Sequence, residues 1–419
     1  MSSDSERSGG TLGIVAAPRP RNDEESGPDL SSSNPWASAP RRWGHRLHSL
    51  CSYLAMFPPS IPHTFIEWLT RPGDVVYDCF SGRGTTALEA CLLGRTGVGL
   101  DANPLAHLLT GAKVDPPTQR TVMRRLTELG SQRDLGDPQT VPEQIRMLFD
   151  RQVLAQLVWL RNNLDLSKRA DRYILGVLLG QLHRNANRNG EPLGLTVAMP
   201  NAFAMSPDYV ARYIGAHGLV PPRVDVVDFL RERAVVPDLP SSFRRGRSFQ
   251  ADAATQPPSW LRRNRAKLIF FSPPYLEVIS YGKYNWIRLW LLGATARDVD
   301  SRLFRSQSVV KYVPFMESVF RNARAALRDD GYLCVVAGDV TRGDTDVCLA
   351  DLLTVAAKSA TDLTPAAVLV DQLPTQHKVS RIWGEAKGRA IKTDRIVIFS
   401  APAAERVGSI PAIDWSAGG

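Results

Sequence analysis

The sequence has few cysteines, few lysines and no long apolar run. Its five cysteines, Cys51, Cys79, Cys91, Cys334 and Cys348, form no CxxC pair and no zinc-ligand spacing. Each stands beside apolar residues, so reduced, buried thiols are expected rather than a disulfide framework or a metal site. The longest nearly apolar stretch, Ile174 to Leu182, is about half of the roughly 18 residues that a bilayer span requires, which argues against a transmembrane helix. No charged-then-apolar N-terminus ends in a cleavage site, and a cytoplasmic location is the expectation. With only nine lysines, the basic excess behind the net charge of +9 is carried by arginine. Arginine meets phosphate through a bidentate fork, which suits a nucleic-acid partner. A bias in genome composition would leave the same excess.

What is present is an ordinary globular composition, 43% hydrophobic and 22% charged over 419 residues. That length suits two or three compact units, or one large enzyme fold with an insertion. The first stretch, Met1 to about Pro40, is rich in Ser, Pro, Gly and charge, and residues 1–44 are expected to be a disordered tail; residues 403–419 form a shorter one. From His45 the pattern becomes that of a folded domain. A helix over Pro62 to Leu69 is followed by a strand over Val75 to Phe80, a glycine-bearing loop, a helix over Thr86 to Leu93 and a strand over Gly97 to Leu100. Strand, helix and strand in about 30 residues make a βαβ unit, which implies a parallel sheet.

Residues 115–247 read differently. Ile145, Leu148, Phe149, Val153, Leu157 and Leu160 recur at helical spacing, and Ser206-Pro207 is a helix start with Ser as cap. This block is expected to be a mainly helical insertion. The α/β rhythm resumes over 248–402, with strands at Arg247–Gln250, Lys267–Phe271, Tyr332–Val336, Ala366–Val370 and Arg395–Ser400. The fold class is therefore α/β and Rossmann-like, with a mostly parallel sheet interrupted once.

Two strand ends carry chemistry. The first is Asp78-Cys79-Phe80-Ser81-Gly82-Arg83-Gly84-Thr85-Thr86, a strand running into glycines and then a helix, which brings bare backbone close to a bound small molecule. Free N–H groups and hydroxyls there suit a carboxylate, while Asp78 suits an ammonium: the two ends of an amino-acid moiety. Asp101, 23 residues after Asp78 at the next strand end, suits ribose hydroxyls. A ribose with an amino acid points to S-adenosylmethionine (SAM) rather than NAD. The bland alternative is an ordinary tight turn with a capping aspartate. The second strand end is Phe271-Ser272-Pro273-Pro274-Tyr275. Paired prolines stiffen the loop, so the Ser272 hydroxyl and Pro273 carbonyl can accept from an exocyclic NH₂, and Tyr275 offers a face for an extruded base. A Pro-Pro stop after a core strand is the alternative.

At these residues the chain resembles the SAM-dependent DNA amino-methyltransferases, which make N4-methylcytosine or N6-methyladenine. The resemblance spans Leu47 to Lys113 and Ser248 to Ser400, and implies a class I methyltransferase fold with SAM as cofactor. It assigns Asp78, Phe80, Gly82, Gly84, Thr85 and Asp101 to the cofactor, joined by Phe57 and Pro58 in the preceding segment and by Asp252 at the adenine. Ser272, Pro273, Pro274 and Tyr275 become the catalytic motif, and the cofactor motif precedes it, so the order is not permuted. Serine in first place leans toward cytosine N4. The resemblance also implies DNA with a base flipped from the duplex, target reading by the insertion, and a restriction–modification or phage-defence setting in which a nuclease partner could act.

Within the insertion, Gln181 to Gly190 is dense in Arg, Asn, Gln and His, which suit phosphates and base edges; a solvated turn explains it equally. The clusters Arg244-Arg245-Gly246-Arg247 and Arg262-Arg263-Asn264-Arg265 could track a nucleic-acid backbone or form solvated surface. Tyr281, Tyr284 and Trp286 could frame a base pocket or pack in a core. Three other functions compete: adenine-N6 transfer, transfer to an RNA amine such as tRNA guanine N2, and an inert DNA-binding relative. Carbon-5 cytosine chemistry is disfavoured, because it needs a cysteine after proline and none of the five has one.

Overall fold

Over Ala266–Phe271, five of the six residues of Ala-Lys-Leu-Ile-Phe-Phe are apolar, the signature of a strand covered on both faces. The computed structural model describes residues 34–40, 43–54, 57–131, 135–183, 192–195, 204–274, 280–306, 308–342, 345–371 and 394–417. Its strands are β1 (Val75–Asp78), β2 (Thr96–Asp101), β3 (Arg247–Gln250), β4 (Ala266–Phe271), β5 (Leu327–Gly338), β6 (Val340–Arg342), β7 (Thr345–Val347), β8 (Thr364–Asp371) and β9 (Asp394–Ser400). Seven of them form one sheet in the order β3-β2-β1-β4-β5-β9-β8, while β6 and β7 pair as a separate ribbon. From β3 to β5 every pairing is parallel; β9 alone runs against its neighbours β5 and β8. The mostly parallel, Rossmann-like sheet expected from the sequence is present. The antiparallel entry of β9 between β5 and β8 was not foreseen, because strand order depends on pairing between distant segments.

Alternation along the strands divides the core. Val76, Leu268, Phe270, Val336 and Ile398 face α1 (Ser60–Leu69) through Ile61, Phe65 and Ile66. Their neighbours Tyr77, Ile269, Phe271, Val335 and Phe399 point to the opposite face. The helix α2 (Thr85–Leu92) follows β1, and α3 (Pro104–Val114) follows β2. The interruption before β3 is helical, as expected: α4 (Gln119–Ser131), α5 (Glu143–Arg146), α6 (Arg151–Asn163), α7 (Arg169–Gln181), α8 (Pro207–His217) and α9 (Val226–Arg233). Ser206 caps α8 as its sequence predicts, its hydroxyl accepting from the Tyr209 N–H at 3.4 Å. A third apolar cluster joins α3, α4, α6 and α7, with Leu126, Leu157, Ile174 and Leu178 among its fully buried members. In the second half α10 (Ser259–Arg263) precedes β4. After it come α11 (Tyr281–Tyr284), α12 (Trp286–Leu291), α13 (Ala296–Arg302), α14 (Val309–Ala326) and α15 (Leu349–Ala360).

The expected tails need correction. Residues 1–33 lie outside the described part, but Trp36 is only 4% exposed and packs on Phe65 at 5.6 Å. Trp415, placed in the C-terminal tail, meets Trp43 edge-on at 4.7 Å, and its indole N–H donates to the Pro35 carbonyl at 2.9 Å. A single tryptophan buries enough apolar area to hold a short polar segment down, and average composition conceals that. All five cysteines are free, four of them buried. Among the described residues no helix is long and apolar enough to cross a membrane.

The fit of α2 on β2 is unusually close: a Cβ on Gly97 would lie 1.9 Å from the Ala87 carbonyl oxygen. Gly97→Ala is therefore expected to cost roughly 2 kcal/mol or more by overpacking, read as a lowered thermal unfolding midpoint. An unchanged midpoint would contradict this helix–strand contact.

Candidate active site at the β1 and β4 strand ends

The chain runs outward from β1 through β2 to β3, then returns across β1 to continue through β4 and β5. Strand order thus reverses between β1 and β4, and open α/β sheets bind ligands beyond the carboxyl ends of the strands at such a point. The register pairs Val76 with Leu268 and Tyr77 with Ile269. Continued by two residues, it sets Cys79 level with Phe271, so the glycine turn and the double-proline turn leave the sheet side by side. Phe80, after β1, packs on Phe271 with ring centroids 5.6 Å apart.

The glycine turn is held from several sides. Gly82 (φ 50°) and Gly84 (φ 81°) occupy left-handed backbone, which side chains resist. A Cβ on Gly84 would also lie 2.8 Å from the Thr110 hydroxyl, so the turn sits directly on α3. The Ser81 N–H donates to the Leu100 carbonyl at 3.0 Å. Asp101 Oδ2 accepts from the Gly82 N–H and Oδ1 from the Asn103 N–H, each at 2.9 Å. The fully buried Lys113 ammonium donates to the Arg83 carbonyl at 2.7 Å. Burial holds the Lys113 pKa well below its usual value, and also brings Arg83 down to about 10. Behind the turn, Glu89 of α2 receives His48 Nε2 at 2.5 Å and His63 Nδ1 at 2.8 Å. Burial opposes ionisation of Glu89, yet the two imidazoles keep its pKa below the ordinary carboxylate value.

Asp78 is 2% exposed, and its Oδ1 accepts from the Phe80 N–H at 3.0 Å. Burial pushes its carboxyl up to about 7, against the pull of that hydrogen bond. Burial likewise raises Asp101 to about 6. Two neighbouring carboxyl groups with weakened acidity form a site that gains by receiving positive charge.

The remaining expected residues fall as follows. Thr85 opens α2, and its hydroxyl accepts from Arg83 Nε at 3.3 Å. Phe57 meets Phe270 edge-on at 5.7 Å, two residues before Ser272, which puts it beside the second turn; Pro58 is exposed near the start of α1. Asp252 is exposed beyond the end of β3, its Oδ1 accepting from the Ala254 N–H at 2.9 Å. Pro273 is buried, and Ser272 and Pro274 are half-buried; Tyr275 lies outside the described residues. So do Arg184 to Gly190 of the polar cluster, while His183 is fully buried.

The arginine clusters are only partly available as a nucleic-acid track. Arg245 pairs with Asp115 at 2.7 Å, Arg265 with Asp329 at 3.0 Å, and Arg247 lies 5.0 Å over the Trp260 ring. Arg244, Arg262 and Arg263 remain exposed. Trp286 is a core residue, 7% exposed, with its indole N–H on the Met205 carbonyl. Asn103, Thr110, Lys113 and Glu89 support the site without having been singled out, whereas Tyr53 opens the segment Tyr53 to Pro62 that the resemblance sets over the methionine end of the cofactor. Only Asn103 carried a local signal, an Asn before Pro104 that caps α3 by accepting from the Leu105 N–H at 3.0 Å.

Comparison with known proteins points in one direction. Residues 19–109 match the N6_N4_Mtase family, described as DNA methylase. Over 61 residues the chain is 39% identical to Type II methyltransferase M.BglI of Bacillus subtilis, a stretch covering 15% of this chain and 18% of that protein. Over 107 residues it is 23% identical to Type II methyltransferase M.MjaII of Methanocaldococcus jannaschii, covering 24% and 20%. The chain thus matches no more than about a fifth of the length of these relatives. The rRNA methyltransferase aviRa from Streptomyces viridochromogenes aligns over 86% of this chain and 92% of its own at 10% identity, with a TM-score of 0.32 that bears on neither fold nor substrate. These sequence matches are similarities to DNA methylases over part of the chain. The family match ends at residue 109, before the double-proline turn.

The raised carboxyls have a pH consequence. Asp78 and Asp101 hold their protons to higher pH folded than unfolded, so their contribution to stability is greatest in acid and declines as pH rises from about 4 to about 7. Binding of a cationic ligand runs the other way, since it requires the ionised carboxylates. Affinity for such a ligand, by calorimetry, should fall about tenfold or more between pH 7.5 and pH 5.5, with protons released on binding. Asp78→Asn should lower the affinity and flatten this profile; an unaltered profile would remove Asp78 from the ligand site.

Proposed function

We propose that the protein is a SAM-dependent DNA amino-methyltransferase, acting on an exocyclic base amine and on cytosine N4 in preference to adenine N6. The observation that carries this reading is the side-by-side exit of two chemically distinct turns from β1 and β4, closed by Phe80 against Phe271. The donor set suits SAM. Asp78 suits the ammonium, the backbone of Gly82, Gly84 and Thr85 suits the carboxylate, and Asp101 suits the ribose hydroxyls. Asp252 lies at the neighbouring strand end, where an adenine ring would extend. Phe57 and Pro58 belong to the segment that would cover the methionine end. When bound, SAM supplies an electrophilic methyl group on a sulfonium.

The chain's own contribution is to position and polarise the acceptor. A target base leaves the duplex at a cost of a few kcal/mol, and the Tyr275 ring offers it a stacking surface. The Ser272 hydroxyl and Pro273 carbonyl accept from the base amine. They orient its lone pair and stabilise the positive charge that grows on nitrogen as the new C–N bond forms. The nitrogen then loses one proton to solvent, and no covalent bond to the protein is required. Two consecutive prolines hold both acceptors in place before the base arrives, so little reorganisation is needed during transfer. The exposed Arg244, Arg262 and Arg263 suit phosphate contacts. Serine in the motif supports cytosine, and the similarity to two Type II methyltransferases supports a restriction–modification setting.

Incubation with methyl-labelled SAM and mixed DNA and RNA, followed by nucleoside analysis, tests the assignment. Label is expected in N4-methylcytosine. Label in N6-methyladenine would correct the base, and label in RNA alone would correct the substrate. Ser272→Ala and Tyr275→Ala should each lower turnover by about 100-fold or more with SAM affinity nearly unchanged. Equal losses of affinity and turnover would contradict these roles.

A further inference from the structure

The glycine turn carries one long side chain, and it is drawn inward. Arg83 stands between Gly82 and Gly84, both in left-handed backbone. Its Nε donates to the Thr85 hydroxyl at 3.3 Å, and its Nη1 donates to the His48 carbonyl at 3.2 Å. The Arg83 carbonyl in turn accepts from Lys113. Thr85 and Lys113 belong to α2 and α3, the helices on which the turn already rests. The His48 carbonyl comes from elsewhere, from the short 3₁₀ helix Arg46–Ser49 about 35 residues earlier in the chain. The shape of the turn therefore depends on where that segment is held.

Glu89 holds it. This residue of α2 lies one helical turn beyond Thr85 and is 1% exposed. One of its oxygens accepts from His48 Nε2 at 2.5 Å and the other from His63 Nδ1 of α1 at 2.8 Å. His48 Nδ1 is buried and meets no hydrogen-bond partner, so the single ring proton belongs on Nε2, facing the carboxylate. Burial keeps the His48 pKa below its usual value, against the pull of Glu89, and a second proton on Nδ1 would be a buried N–H with no acceptor. Both rings are also packed in place. A Cβ on Gly44 would lie 3.4 Å from His48 Cδ2. The His63 ring meets Trp43 edge-on at 4.7 Å and Trp415 at 5.6 Å. An unbroken path of contacts thus runs from the Glu89 carboxylate through His48 to the one side chain inside the turn.

We infer that Glu89 is a positioning residue for the methyl donor: by joining His48 to α2 it fixes the carbonyl that receives Arg83, and with it the shape of the glycine turn. The inference rests on the function proposed above and assigns to that site a residue that never touches the ligand. A turn already held in shape binds its ligand without first being ordered, whereas a turn released from His48 pays that ordering on binding. The effect falls on donor affinity and leaves the transfer step, once the donor is bound, almost unchanged. A buried charge cluster that served stability alone would lower the unfolding midpoint and leave affinity where it was.

The test is a double-mutant cycle on the full chain, using Glu89→Leu, His48→Leu and the double variant, with His48→Gln as the conservative control. SAM affinity by calorimetry, well below every unfolding midpoint, is measured together with KM for SAM and kcat on DNA. Either leucine variant is expected to weaken SAM binding about tenfold, with KM rising to match and kcat at saturating SAM within about threefold of the wild type. The double variant should be no worse than the poorer single one, because both break the same link. His48→Gln keeps an N–H that reaches Glu89 and should restore most of the affinity, although leucine is the more apolar filling. Leu353→Ala, fully buried in α15, should lower the midpoint without weakening SAM binding. Should Glu89→Leu not fold, Arg83→Met interrupts the same path at the turn and should weaken SAM binding in the same way. Unchanged SAM affinity in Glu89→Leu or Arg83→Met, or a His48→Gln as weak as His48→Leu, would overturn the positioning role alone. Failure of the wild-type chain to bind SAM would instead overturn the function on which it rests.

Discussion

The parallel pairing of β1 with β4 is the contact on which the rest of the site depends. These strands are about 190 residues apart in the sequence, and the register between them is fixed by Val76 against Leu268 and Tyr77 against Ile269. Because side chains alternate between faces, a one-residue slip of β1 would send Tyr77 into the α1 face and Val76 out of it. Apolar burial on both faces thus enforces a register that also sets two strand ends side by side. The chemistry borrows its geometry from the core.

That geometry gathers unfavourable groups beside one another. Asp78 and Asp101 are both removed from water, and burial weakens the acidity of each. Lys113 and Arg83 are desolvated nearby. The turn tolerates this because nearly every exposed backbone group has a dedicated partner: Leu100 for Ser81, Asp101 for Gly82, and Lys113 for the Arg83 carbonyl. A buried polar group without such a partner costs about 1–3 kcal/mol, so the scaffold is dense where the charge is dense. What remains unsatisfied electrostatically is the negative charge itself, which suits a ligand carrying a cation.

Much of this was legible in the residues. The strands at Val75, Gly97, Lys267 and Arg395 announced themselves by continuous or alternating apolar residues, and Ser206-Pro207 announced a helix start. The glycine turn and the double-proline turn could be read because glycine and proline restrict the backbone wherever they stand. Lys113 and Glu89 could not be read this way. Each acts on a segment far from it in sequence, and a lone lysine or glutamate carries no local sign of its partner. The tails misled for a related reason: Trp36 and Trp415 find their contacts on α1, on Trp43 and on each other's segments, not among their neighbours. The arginine clusters show the same limit, since Arg245 and Arg265 are spent on Asp115 and Asp329 from other elements.

By itself, the sequence determined the strand–turn–helix units, the helical character of the insertion and the identity of the groups at each strand end. These follow from periodicity and from side chains within a few positions of one another. Only the tertiary structure decided which strand ends stand together, where β9 enters the sheet, which aromatic ring lies against the glycine turn and which arginines stay exposed. Those outcomes depend on pairings between distant segments, whose energies come from shared burial and leave no periodic trace along the chain.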